Sequence, residues 1–146
     1  MKLSTKGRYG MRAMLDLAQH YDEGLVFVKD VAARQQISQR YLEQLFLILK
    51  TSGLVKSTRG ARGGFTLTRS PDKIKLIDIV RVCEGPLALV DCVADAAACP
   101  RSSQCAARDV WSEVQSAMEE VLNSKTLRDL IACQKQKEEQ IESESV

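Results

Sequence analysis

From Lys6 to Gln19 the apolar residues Tyr9, Met11, Met14, Leu15, Leu17 and Ala18 recur at near-helical spacing, and the run closes on Asp22-Glu23-Gly24; this predicts a first helix. Leu25 to Val28 is a short apolar stretch of strand character. It leads into VKDVAARQQ, where Val28, Val31, Ala32 and the later Ile37 can face inward from a short second helix. After the Gln35-Gln36-Ile37 break, the Ser38 hydroxyl suits a helix N-cap. Tyr41, Leu42, Leu45, Phe46 and Leu49 then repeat at i, i+1, i+4, i+5 and i+8, a third helix that Gly53 can terminate.

Two short helices joined by a tight turn, the second carrying polar side chains on its first turns, form a helix-turn-helix pattern. LVKST and GFTLTR read as two strands joined by Arg59-Gly60-Ala61-Arg62-Gly63-Gly64, a glycine-rich hairpin of the kind called a wing.

Beyond the break at Pro71, Leu76, Ile77, Ile79, Val80, Val82 and Cys83 give a short apolar helix closed by Glu84-Gly85-Pro86. The next segment is poor in large apolar residues and holds three cysteines, so it builds little core of its own. From Ala106 to Leu122 an apolar stripe of Val110, Trp111, Val114, Ala117, Met118, Val121 and Leu122 predicts a long amphipathic helix. With a core already available in the first 85 residues, that stripe calls for a partner helix, and dimerisation is its natural use. Ser124 or Thr126 can start a last short helix through Leu127, Leu130 and Ile131. The predicted fold is therefore mainly α: a winged helix-turn-helix domain over 1–85, a cysteine-bearing loop over 86–105, the dimerisation helix and a short terminal helix over 106–133, and a disordered polar tail over 134–146.

Composition narrows the function. A 45% hydrophobic content suits a folded domain, no apolar run approaches a membrane span, and Lys6, Arg8 and Arg12 interrupt the opening segment where a secretory signal would be apolar. Five cysteines in a chain without an export signal point to reduced thiols in the cytoplasm. The net charge of +2 conceals an asymmetry: residues 1–70 carry twelve Lys/Arg against five Asp/Glu (+7), and residues 71–146 carry nine against fourteen (−5). One end of the molecule thus suits a polyanion.

A recognition helix presents its first turns to base edges, which selects Ser38, Gln39, Arg40, Tyr41, Glu43 and Gln44 as DNA-facing candidates. Gln44 can pair with adenine and Arg40 with guanine or a phosphate. Glu43 can accept from cytosine N4 and, by repelling phosphate, penalise wrong sequences. Arg59 and Arg62 suit a narrow minor groove, and Lys50, with Lys2, Lys6, Arg8 and Lys56, suits phosphate contacts. A solvated polar face and a flexible charged hairpin are the plainer readings of the same residues.

Cys92, Cys99 and Cys105 stand at C-x6-C-x5-C. Zinc sites usually bring close C-x2-4-C pairs, so this wider spacing suits an iron–sulfur cluster better, with direct oxidant sensing or inert thiols as the alternatives. Cys83 lies on an apolar face and reads as core, and Cys133 precedes the polar tail. An enzyme is disfavoured: there is no CxxC, a single histidine (His20), and no positioned acid–base pair.

MKLSTKGRYGMRAML, ISQRYLEQLFLILKTSGLVKSTRGARGGF and a three-cysteine loop leading into DVW together resemble the Rrf family of bacterial winged-helix regulators, and within it the IscR branch, over residues 1 to about 131. The resemblance implies a homodimeric repressor, sometimes an activator, that reads a palindromic double-stranded DNA site. It also implies an iron–sulfur cluster, typically 2Fe-2S, held by Cys92, Cys99 and Cys105 and controlling cluster-assembly genes. One departure is plain: the branch's fourth ligand is a histidine three residues after the last cysteine, and here that residue is Arg108, which stays protonated. A CymR-like regulator of cysteine metabolism in the same family is the alternative, although such proteins lack the cysteine trio.

Overall fold

The computed structural model describes residues 2–58 and 64–145. Helix α1 (Thr5–Gln19) starts where the Ser4 hydroxyl accepts from the Gly7 N–H at 3.1 Å. Its inner face buries Ala13, Met14, Leu15, Leu17 and Ala18. Helix α2 (Val28–Gln35) ends at Gln36 in the left-handed region, φ 54°. Helix α3 (Gln39–Thr51) opens at Ser38, whose Oγ accepts from the Tyr41 N–H at 3.1 Å; it buries Leu42, Leu45, Phe46 and Leu49 and gives way at Gly53, φ 83°.

Strands β1 (Val55–Ser57) and β2 (Phe65–Leu67) pair antiparallel, Val55 opposite Leu67 and Ser57 opposite Phe65. The apolar stretch before α2 adds a single bridge: the Val26 N–H donates to the Phe65 carbonyl at 2.9 Å, and the Val26 carbonyl accepts from the Phe65 N–H at 2.8 Å. The Phe65 ring stacks on Phe46 at 4.7 Å, anchoring the wing to the recognition helix. The wing arginines Arg59 and Arg62 lie outside the described residues.

Helix α4 (Leu76–Glu84) packs along α1. Two glycines on α1 permit the close approach: a Cβ on Gly10 would stand 2.5 Å from Cys83 Sγ, and one on Gly7 would meet the Glu84 carboxylate. That carboxylate accepts from the Ser4 N–H at 3.0 Å and from the Ser4 hydroxyl, tying the end of α4 to the start of α1. The cysteine segment holds α5 (Asp91–Ala94) and two single helical turns, at Ala96–Ala98 and Ser102–Gln104, with no buried residue among them. Helix α6 (Ala106–Asn123) then runs back over α4.

The last helix departs from the sequence reading. A short helix followed by a disordered tail over 134–146 was expected; α7 instead spans Leu127–Glu144. A capping box starts it, Thr126 Oγ1 accepting from the Asp129 N–H while Asp129 receives the Thr126 N–H at 2.9 Å. Beyond Cys133 the residues are strong helix formers, Gln134 donating to Glu138 at 3.1 Å one turn on, so polarity removes burial without removing the helix. Leu127 is fully buried in the core with Met14, Phe46 and Ile74, and its N–H donates to the Ile74 carbonyl at 3.0 Å. The core expected within the first 85 residues is thus completed from the far end of the chain.

Candidate DNA-reading face and cysteine loop

Along the first two turns of α3, Ser38, Gln39, Arg40, Glu43 and Gln44 are exposed, while Leu42, Leu45 and Phe46 face the core. The exposed set therefore shares one outward surface, as the heptad-like spacing of the apolar residues requires. Gln39 Nε2 donates to Glu43 Oε1 at 3.3 Å, which holds this carboxylate beside an amide. Ser38 spends an acceptor lone pair on its cap but keeps its hydroxyl proton for an external acceptor. Lys50 is exposed in the last turn.

Tyr41 departs from the rest of the candidate set. It is half-buried, and its ring meets Tyr9 of α1 edge-on, centroids 5.7 Å apart. Burial first, then the neighbouring Cys83 and Tyr9, push its phenol above the ordinary tyrosine range. Its ring is thus engaged in fixing α3 against α1. The guanidinium groups of Arg12 and Arg8 flank Tyr9 at 5.3 and 5.8 Å, so two α1 cations stand near the start of the recognition helix. Arg12 was not among the sequence candidates; its place beside an aromatic on the half-exposed side of α1 becomes visible only once α1 and α3 are packed.

All five cysteines are free thiols: Cys83 buried, Cys92, Cys99 and Cys105 half-buried, Cys133 exposed. Cys92 lies in α5, Cys99 follows the first single turn and Cys105 caps α6. Arg108, in the first turn of α6, reaches back and donates from Nε to the Cys92 carbonyl at 2.8 Å, bracing α6 against the start of the cysteine segment. Three half-buried thiols on one loop fit an iron–sulfur cluster in donor chemistry. In the present arrangement, no three His, Cys, Asp or Glu side chains among the described residues converge closely enough to hold a metal ion. Helix α6 leaves Val110, Trp111, Val114 and Val121 exposed, an uncovered apolar stripe. Among the described residues no helix is long and apolar enough to cross a membrane.

The family model described as Rrf2, iron-dependent transcriptional regulator, matches residues 3–133, nearly the whole of this arrangement. The chain belongs to the Rrf2 family of transcriptional regulators. It is 45% identical over 130 residues to the transcriptional regulator CymR of Bacillus subtilis, covering 89% of each chain. It is 43% identical to the protein rrf2 of Nitratidesulfovibrio vulgaris, covering 90% of this chain and 87% of that one. The solved structure of B. subtilis CymR, titled the global cysteine regulator, superposes with a TM-score of 0.76 at 42% identity, covering 90% of this chain and 97% of that one. That of T. potens IscR gives 0.74 at 46% identity, covering 90% and 87%. Both the winged-helix fold and the Rrf2 membership expected from the sequence hold. The IscR branch is one of several that this Rrf2 chain resembles.

Proposed function

We propose that this Rrf2-family regulator is a homodimer that reads a palindromic operator with α3 and its wing, and whose DNA choice answers to an iron–sulfur cluster on Cys92, Cys99 and Cys105. The observation that carries the cluster reading is the placement of the three thiols. They occupy a loop without a buried residue of its own, between Gly85 at the end of α4 and the start of α6. When bound, the cluster supplies iron–thiolate bonds and an iron- and redox-dependent charge. The loop supplies the three donors, and Arg108 supplies a cation that offsets thiolate charge.

The end of α4 is bonded through Glu84 to Ser4 at the cap of α1, and α1 packs on α3 through Tyr9 and Tyr41. A loop ordered at Gly85 is therefore in mechanical contact with the reading helix through two packed elements. An effector can shift DNA affinity only by the difference with which the two states bind it. The uncovered stripe on α6 supports dimerisation, and five cysteines without a disulfide between them support cytoplasmic residence.

Similarity to CymR supports a second reading, regulation of sulfur metabolism through thiol chemistry or a partner protein without a cluster. Arg108 in place of a fourth protein donor supports it as well. Anaerobic purification and reconstitution, followed by visible absorption and by iron and sulfide counts, separates the two readings. Enrichment of duplexes from a random DNA pool by the loaded and unloaded protein completes the test. A coloured protein whose enriched sequences change on cluster loss bears out the first reading. A colourless, iron-free protein that binds the same DNA after reconstitution refutes the cluster and leaves the regulator.

A further inference from the structure

Asp16 is a charged side chain buried in the head, 1% exposed, on the inner face of α1. Three donors from the last turn of α2 converge on it. Arg34 Nη2 donates to Oδ1 at 2.7 Å and Arg34 Nε to Oδ2 at 3.0 Å, a two-pronged fork, and Gln35 Nε2 donates to Oδ2 at 3.0 Å. The same hydrogen bond to Asp16 is the main reason the Arg34 guanidinium is held above its ordinary range.

Gln35 is gripped again from α1, where Arg12 Nε donates to its side-chain oxygen at 3.3 Å and Arg12 Nη2 to its backbone carbonyl. The next residue, Gln36, is the one non-glycine residue with positive φ among those described, a conformation that surrounding contacts must enforce. Two residues later Ser38 caps the recognition helix.

Desolvating a carboxylate is costly, and an apolar side chain of similar size would fill the same space without that cost. What the carboxylate adds is direction. A planar fork with a third donor accepts one rotation of α2 against α1, whereas an apolar contact tolerates several.

We propose that Asp16 is a positioning residue for DNA recognition: through Arg34 and Gln35 it fixes the turn into α3, and so the angle at which Gln39, Arg40, Glu43 and Gln44 meet base edges. This rests on the reading of α3 as the DNA-contacting helix. Specific binding depends on that angle. Non-specific binding, which depends on phosphate charge alone, does not.

The test uses the full-length protein, a duplex enriched from a random pool by the unmodified protein, and a scrambled duplex of equal length. For Asp16→Asn the affinity for the enriched duplex should fall about tenfold or more, the value of one lost base contact. Affinity for the scrambled duplex should stay within about twofold, since phosphate contacts are untouched. Arg34→Lys keeps the charge but loses the fork and should fall part-way. Should Asp16→Asn fail to fold, as judged by its melting curve, Arg34→Lys and Gln35→Ala on the less buried side carry the same comparison. A folded variant with an unchanged ratio between the duplexes, or one that loses both affinities equally, overturns the positioning role. An unmodified protein that enriches no sequence overturns the DNA-reading assignment beneath it.

Discussion

Trp111→Ala interrogates the proposed pairing of α6. In the single chain Trp111 is 44% exposed and is flanked by Val110, Val114 and Val121 at 51%, 37% and 55%. A large aromatic can bury up to about 250 Å², so roughly 100 Å² of this side chain remains for a partner to cover. At about 25 cal/mol per Å² that is ~2.5 kcal/mol per chain, and ~5 kcal/mol for a symmetric pair. Ordering of side chains on association offsets part of it, leaving a weakening of roughly two to three decades in the dimer Kd. Sedimentation equilibrium over a dilution series reads this directly. The variant should dissociate at concentrations at least a hundredfold above those that dissociate the unmodified protein, and its DNA-binding curve should steepen with protein concentration. Trp111 stands outside the buried core, so far-ultraviolet dichroism should report the same helix content. Dissociation curves that overlay, or an unmodified protein that is monomeric at micromolar concentration, would refute pairing through this face.

Ser38→Ala removes the acceptor of the Tyr41 N–H and should cost about 1 kcal/mol, seen as a lower urea midpoint at unchanged slope; an unchanged midpoint would show that the cap is dispensable. Gly10→Ala places a Cβ 2.5 Å from Cys83 Sγ and should destabilise by roughly 1 to 3 kcal/mol, with most of the loss recovered when Cys83→Ala is added. Thermal melting of the four proteins checks the coupling, and simple additivity would contradict it. Burial, with Glu84 second, pushes the Cys83 thiol up, so the native state favours the protonated form. Its stabilisation is complete below the ordinary thiol value of about 8.5 and is lost as pH rises through the higher native value. The stability difference between the unmodified protein and Cys83→Ala should therefore shrink above about pH 9 in denaturant titrations; a difference constant from pH 7 to 10 would exclude it.

Periodicity made the head legible. The bounds of α1, α2, α3 and α4, the Ser38 cap and the Gly53 stop fall within a residue or two of where apolar spacing places them, because each helix has one buried face and a local terminator. The same logic found the start of α7 through Leu127, Leu130 and Ile131 but missed its polar second half, where an exposed helix held by propensity leaves no apolar stripe to read. It also missed the burial of Leu127, which depends on a return to Ile74 more than fifty residues earlier in the chain. The place of Tyr41 on α3 is local information and was legible, whereas its packing against Tyr9 of α1 is not local and was not. Asp16 did leave a sign: an acid set within MLDLA, on a face otherwise apolar, predicts a buried partner without saying which of the chain's cations supplies it.

The return of the chain at Thr126 has a consequence for engineering. Lys75 and Thr126 bridge, Leu76 N–H donates to the Lys125 carbonyl at 3.0 Å, and α6 is thereby fastened to the head at its far end as well as through the loop at its near end. It forms a handle held at both ends, so in the proposed dimer the distance between the two heads would follow from how two handles cross. A chimaera that borrows another paralogue's handle to build an obligate heterodimer must therefore exchange 106–123 while leaving the Thr126–Leu127 rivet in place. A graft cut beyond Leu127 would extract a core residue with the handle and loosen the head it was meant to carry.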